Sequence, residues 1–273
     1  MIITNSDIII DLDGKTLDDN ILIRGPLKNI VIRNGTVRGE IRLRPSNLEN
    51  SNNRPGHTER VRQAAPSGVT IRNITFDTNG STHQAYFGPG ATDSRILNCN
   101  FTGKSLGPSI YLSPEGGNHT IRNCVFASDT GERREVLSVD GSENNLIADN
   151  DFKKCTWGGI YVYRNCGENG SVRHQKPQNN SITNNRFNLS GMQILRISNR
   201  SGHQGSFFFV PYGIILGSRQ GDSSYCELDN MYDIGSGKSD LDYARNNIVE
   251  NNKFSGDWFR RHVLDNDKNN IVK

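Results

Sequence analysis

The chain has 273 residues, 33% of them hydrophobic, with 28 glycines and a net charge of +3 from 32 basic and 29 acidic side chains. That length suits one repeat domain or a barrel better than one compact globule, and so even a charge balance disfavours a nucleic-acid-binding protein. No apolar run approaches about 18 residues, so no membrane-spanning helix is expected, and the opening MIITNSDIIIDLDG shows no signal peptide.

Taken in chain order, the first element is DIIIDLDGKTL, ending at Leu17, followed by NIVIRNGTV, ending at Val37. Both are weak copies of a pattern that becomes plain further on: GVTIRNITF, DSRILNCNF, NHTIRNCVF, NNLIADNDF, NNSITNNRF and NNIVENNKF. The closing Phe76, Phe101, Phe126, Phe152, Phe187 and Phe254 are spaced by 25, 25, 26, 35 and 67 residues. Each copy alternates apolar and polar positions and is rich in β-branched residues, which predicts strands. A second strand follows each Phe after a polar turn: QAYFGP, SIYLSPE, EVLSVDG, GIYVYRN and QILRISN. Such short units cannot bury a face alone and must stack, which predicts an all-β solenoid. The recurring Asn before the Phe suits a turn, where Asn tolerates a left-handed conformation and its amide bonds along the stack.

Three segments interrupt the rhythm: 47–66, NCGENGSVRHQKPQNN after Arg164, and 201–211. Long loops in compact folds are more often functional than idle. The apolar run SFFFV at 206–210 is expected to cap the solenoid or to form a subunit contact. The five cysteines include Cys99 and Cys124 in one frame of two repeats, without zinc-site spacing, and free thiols are expected. DLDGKTLDDN resembles a calcium loop but lacks its third acid and distal Glu. A capping turn is expected there, and neither a metal nor a cofactor.

The repeated N-x-x-I-x-N-N-x-F pattern resembles the right-handed, single-stranded parallel β-helix proteins: pectate-lyase-like enzymes, alginate epimerases and lyases, and bacteriophage tailspikes. The resemblance covers residues 5–255 of a single domain spanning 1–273, with 256–273 as a C-terminal cap or tail. It implies a carbohydrate-facing protein that is extracellular, in the cell envelope or on a virion. Likeness to tailspikes implies a homotrimer or another homo-oligomer.

In the second strands Ile110, Leu112, Ile160, Val162, Leu195 and Ile197 should point inward, so Tyr86, Tyr111, Tyr161, Tyr163 and Arg196 should point out. Glu115 lies 14 residues after Phe101 and Asp140 lies 14 after Phe126. Equal counts predict that the two carboxylates neighbour each other on stacked coils. Such a pair splits into an acid and a base, the arrangement glycoside hydrolases use. The alternative is two solvated turn residues before Gly116 and Gly141. The long loop brings Glu168, Arg173 and His174 beside the same face, with Arg164 and Arg196 able to hold acidic groups of a glycan.

The leading expectation is an enzyme that hydrolyses a bacterial surface or acidic glycan, with Glu115 and Asp140 as acid and base. As a lyase or C5-epimerase, Tyr163 or His174 would take a proton beside a uronate neutralised by Arg164 or Arg196. Tyr86, Tyr111 and Tyr161 would receive sugar rings. The third class is a glycan-binding adhesin or tailspike module without turnover, or a structural solenoid.

Overall fold

The structure is a computed structural model and describes residues 1–46, 55–131, 134–164, 173–189, 211–217, 244–256, 262–266 and 269–273, with the backbone alone of 193–198 and 204–209. Nearly every strand runs parallel to its neighbours. Among the described residues a nine-stranded sheet runs from Ile2–Ile3 through Ile21–Arg24, Ile41–Arg44, Ala85–Phe87, Ile110–Leu112, Leu137–Asp140, Ile160–Tyr163 and Ile214–Leu216 to Val263–Asp265. A fifteen-stranded sheet forms the other sides. The long strand Thr70–Ser81 turns its corner, pairing with Arg95–Leu97 through its first half and with Asn100–Ser105 through its second. The fold is an all-β parallel β-helix, because each coil's alternating apolar residues can be covered only by the coils above and below.

The core is a set of ladders. Phe76, Phe101, Phe126, Phe152, Phe187 and Phe254 stack with centroids 4.5–5.1 Å apart and planes within 13° of parallel. The spacing follows from the distance between paired strands.

The asparagines divide two tasks between neighbouring positions. Asn98, Asn123, Asp149, Asn184 and Asn251 have φ between 54° and 58° and make the left-handed corner. The next residue points inward. Asn150 donates to Asn185, and Asn185 to Asn252, while each side-chain oxygen also accepts the backbone N–H of the coil before it. Cys99 and Cys124 fill the same slot in earlier coils, and with Cys155 they are buried free thiols, as expected. Cys166 and Cys226 lie outside the described residues.

A second polar column runs Ser94, His119, Asn145, Asn180, Asn247 and Asn270. His119 is fully buried and holds a backbone N–H of Ser94 on Nδ1. Burial pushes its pKa down from 6.5 to about 4. The unfolded chain therefore takes up this proton first. The stability linked to His119 is present above pH 6.5 and is lost as pH falls towards 4, by at most about 3 kcal/mol. His119→Asn restores the residue the next coils use, and should flatten that acid limb when denaturant midpoints are compared across this window.

One expectation about the strands is corrected. QILRIS does not join the nine-stranded sheet. Gln193–Ser198 pairs antiparallel with Gln204–Phe209 in a separate hairpin, and Ile214–Leu216 takes the place beside Ile160–Tyr163. The alternation that predicts a strand cannot say which strand is its partner. Past residue 255, Val263–Asp265 and Ile271–Val272 extend both sheets by parallel pairing. Side chains of 206–210 lie outside the described residues. No helix among them is long and apolar enough to cross a membrane.

Candidate functional site: a cleft on the nine-stranded sheet

The outward column of the nine-stranded sheet reads Leu22, Arg42, Tyr86, Tyr111, Ser138, Tyr161 and Ile215, each in register with the next. Turns rise beside it and enclose a cleft of about 540 Å³ over Arg42, Tyr86, Tyr111 and Tyr163. Thr82, His83, Leu106, Gly107, Pro108 and Arg134 form one wall, and Arg173 and Arg44 complete the lining.

Tyr86 and Tyr111 stack with centroids 5.7 Å apart, and the His83 ring lies 5.3 Å from each. The Arg42 and Arg44 guanidiniums sit 5.5 and 5.9 Å from the Tyr86 centroid, within cation–π range. Behind them Glu40, almost fully buried, accepts a 2.6 Å hydrogen bond from Arg42 and lies 3.4 Å from Nδ1 of His83.

Asp140 lies under the far end of the cleft, fully buried. The Tyr111 hydroxyl donates to Oδ2, and Arg173 Nε lies 3.4 Å from the same oxygen. Burial, and then the Asp140 charge, push the Tyr111 phenol well above its ordinary pKa. Burial works against charge on Arg173, but Asp140 and the tyrosines outweigh it and raise its pKa. The cleft therefore presents a neutral phenol and a fixed cation. Tyr163 also lines it and donates a 3.1 Å hydrogen bond to Glu135, which accepts from Ser138 on the same oxygen.

Glu115 does not neighbour Asp140 in the way equal counts predict. Leu112 pairs with Val139, so the next partners are Ser113 and Asp140, and Glu115 falls two positions beyond. The turn between Phe126 and Leu137 is two residues longer than that between Phe101 and Ile110, which shifts the frame. Glu115 is instead a buried pin, with φ of 63°. Its carboxylate accepts from the Thr58 hydroxyl at 2.7 Å and from the His174 backbone N–H at 2.6 Å, and its carbonyl accepts from Arg62. Burial raises its pKa. Two insertions meet at this pin. The first supplies the helix His57–Gln63, and the His57 ring packs 4.7 Å from that of His174. The second returns through Gln175, which donates to the carbonyls of Gly116 and Gly141. The break in rhythm after Arg164 thus sets Arg173 into the cleft and turns His174 towards the helix.

Tyr161 and Arg164 are covered. Tyr161 donates to the Trp157 carbonyl and packs in a small cluster with Tyr163 and Ile215. Arg164, 2% exposed, donates to the Arg173 carbonyl and so holds the insertion rather than opening onto the cleft. Glu168 lies outside the described residues, as does the side chain of Arg196. The reading of the sequence missed His83, Glu40, Arg42, Arg44 and Arg134. IRLR at 41–44 has the alternation that singled out Tyr86 and would have given Arg42. His83 and Arg134 stand in turns, where no periodicity marks them.

No protein-family model matches this sequence, and no curated protein matches it. Among solved structures it is similar to a mutant tailspike protein of E. coli bacteriophage HK620 in complex with a pentasaccharide (15% identity, 92% of this chain and 45% of that one, TM-score 0.52). It is also similar to PfbA, a surface adhesin of Streptococcus pneumoniae (14%, 93% and 61%, 0.53), and to the A-module of the Azotobacter vinelandii mannuronan C-5 epimerase AlgE6 (11%, 98% and 62%, 0.50). These likenesses show the parallel β-helix fold, and the chain spans less than two thirds of each.

Proposed function

We propose that the cleft binds an acidic polysaccharide and takes a proton from the carbon beside a uronate carboxylate, the step that lyases and C5-epimerases share. One observation carries this reading. The described lining holds Arg42, Arg44, Arg134 and Arg173 with the rings of Tyr86, Tyr111, Tyr163 and His83, and no carboxylate. Guanidiniums match carboxylate geometry, and tyrosine faces suit sugar rings. Neutralising the uronate lets the electron pair left by the departing proton spread onto it. A lyase then expels the glycosidic oxygen and leaves a double bond, whereas an epimerase returns a proton to the opposite face. His83 takes the proton: Nδ1 is buried against Glu40, which leaves Nε2 for the cleft.

Hydrolysis by Glu115 and Asp140 has less support, since both oxygens of Glu115 are engaged outside the cleft. Glycan binding without turnover is the second reading, favoured by the platform of stacked Tyr86 and Tyr111. The bound pentasaccharide of the HK620 tailspike and the adhesin PfbA are in keeping with both. An extracellular or virion setting and assembly as a homo-oligomer belong to the same proposal.

The test incubates the protein with alginate, polygalacturonate and neutral polysaccharides, in D2O as well as water. Unsaturated ends mark a lyase, and deuterium at C5 without cleavage marks an epimerase. Fragments that have gained water sink the reading in favour of hydrolysis; binding without any change leaves the module. His83→Gln is expected to lose about 10²-fold or more of the turnover while oligosaccharide affinity holds. Wild-type turnover in that variant removes His83 from the role.

A further inference from the structure

The cleft does not end at Tyr86. It continues onto the first coils as two adjoining cavities of about 410 and 340 Å³, which share Leu22 and Arg44. Among the described residues the second is lined by Arg24, Arg44 and Tyr86 together with Leu22, Pro45, Ser46 and Pro89, none of them acidic.

Arg24 and Arg44 are register partners on adjacent parallel strands. Two exposed guanidiniums are thereby held about one strand spacing apart, ~4.8 Å at the backbone. Among the described residues neither has a carboxylate partner: Arg24 donates to the Ser46 carbonyl, and Arg44 rests against the Tyr86 ring. On the fifteen-stranded side of the coil the guanidiniums of Arg33, Arg38, Arg122 and Arg186 each meet an aspartate. Like charges fixed side by side are unfavourable, and one anion between them relieves both. A solvated surface pair would not be expected to frame a cavity with an aromatic ring as its other side.

We propose that Arg24 and Arg44 form an anion subsite, separate from Arg173, for a carboxylate, sulfate or phosphate on a second residue of the same glycan. The proposal rests on the reading of the cleft as a glycan site and narrows its ligand to chains that are acidic at more than one residue. Arg44 and the Asp140–Arg173 pair are three strand spacings apart along the sheet, about 14 Å. A disaccharide cannot reach both anion sites, whereas an extended hexasaccharide can.

Two measurements test this. Titration with alginate disaccharide and hexasaccharide should show the longer chain binding wild type more tightly, and R24A should weaken the hexasaccharide by about ten- to a hundredfold while leaving the disaccharide unchanged. Inorganic sulfate alone, followed through the arginine Nε–H resonances of wild type, should move Arg24 and Arg44 together and saturably. Equal hexasaccharide affinity in both proteins, with no saturable sulfate shift, overturns the subsite and leaves the cleft reading intact. If no oligosaccharide binds wild type, the cleft reading fails. The sulfate titration then decides the subsite alone: a joint saturable shift upholds it, and its absence overturns it.

Discussion

Asp140→Ala is expected to destabilise the protein by about 3–5 kcal/mol, the cost of breaking a buried pair from one side. The Arg173 side chain is only 14% exposed, and Asp140 is fully buried. Without the aspartate that guanidinium keeps its charge in a poorly solvated place. The Tyr111 hydroxyl also loses its acceptor. Asp140→Asn retains an acceptor for Tyr111 and should cost less, about 1–3 kcal/mol. The decisive comparison is Asp140→Ala/Arg173→Ala. If the charge pair causes the loss, the double variant is more stable than Asp140→Ala alone in chemical denaturation. If the two losses add, the effect comes from packing, and Asp140 does not act through Arg173. The same substitution should loosen 173–175 and weaken glycan binding, since Arg173 reaches the cleft from that segment.

Phe126→Ala is expected to cost about 3–5 kcal/mol, read from the urea midpoint. Phe126 is fully buried in the middle of the ring stack, with centroids 4.6 Å from Phe101 and 4.5 Å from Phe152. Coils contact only their neighbours, so a gap there breaks the core on both sides at once. Phe254→Ala should cost less, because Phe254 is partly exposed and meets Phe187 on one side and His262 on the other. Equal losses at the two positions would mean that the stack does not carry the stability.

Both variants test features with different histories in the sequence. The phenylalanine ladder is written there in full, six rings in one frame. The pairing of Asp140 with Arg173 is not. Counting residues from the preceding Phe sets Asp140 beside Glu115, and the longer turn before Leu137 undoes the count. Arg173 stands out as part of an insertion rich in charge, yet nothing in that segment tells Arg173, which enters the cleft, from His174, which faces His57. Glu115 is conspicuous in sequence as a carboxylate before two glycines, and its oxygens are taken by Thr58 and His174, 57 and 59 residues away.

The sequence by itself determined the coil. Alternation at period two, a β-branched bias, and an Asn ahead of each Phe are local features, and local sterics turn them into strands and left-handed corners whatever lies elsewhere. It determined the inward residues of the central strands for the same reason. Only the tertiary structure decided the cleft. Which outward side chains meet depends on the length of every turn between them, and a difference of two residues moves a carboxylate to another partner. His83, Arg134 and Arg173 reach the cleft from turns and an insertion that have no period to read, and Glu40 acts on His83 across 43 residues of chain.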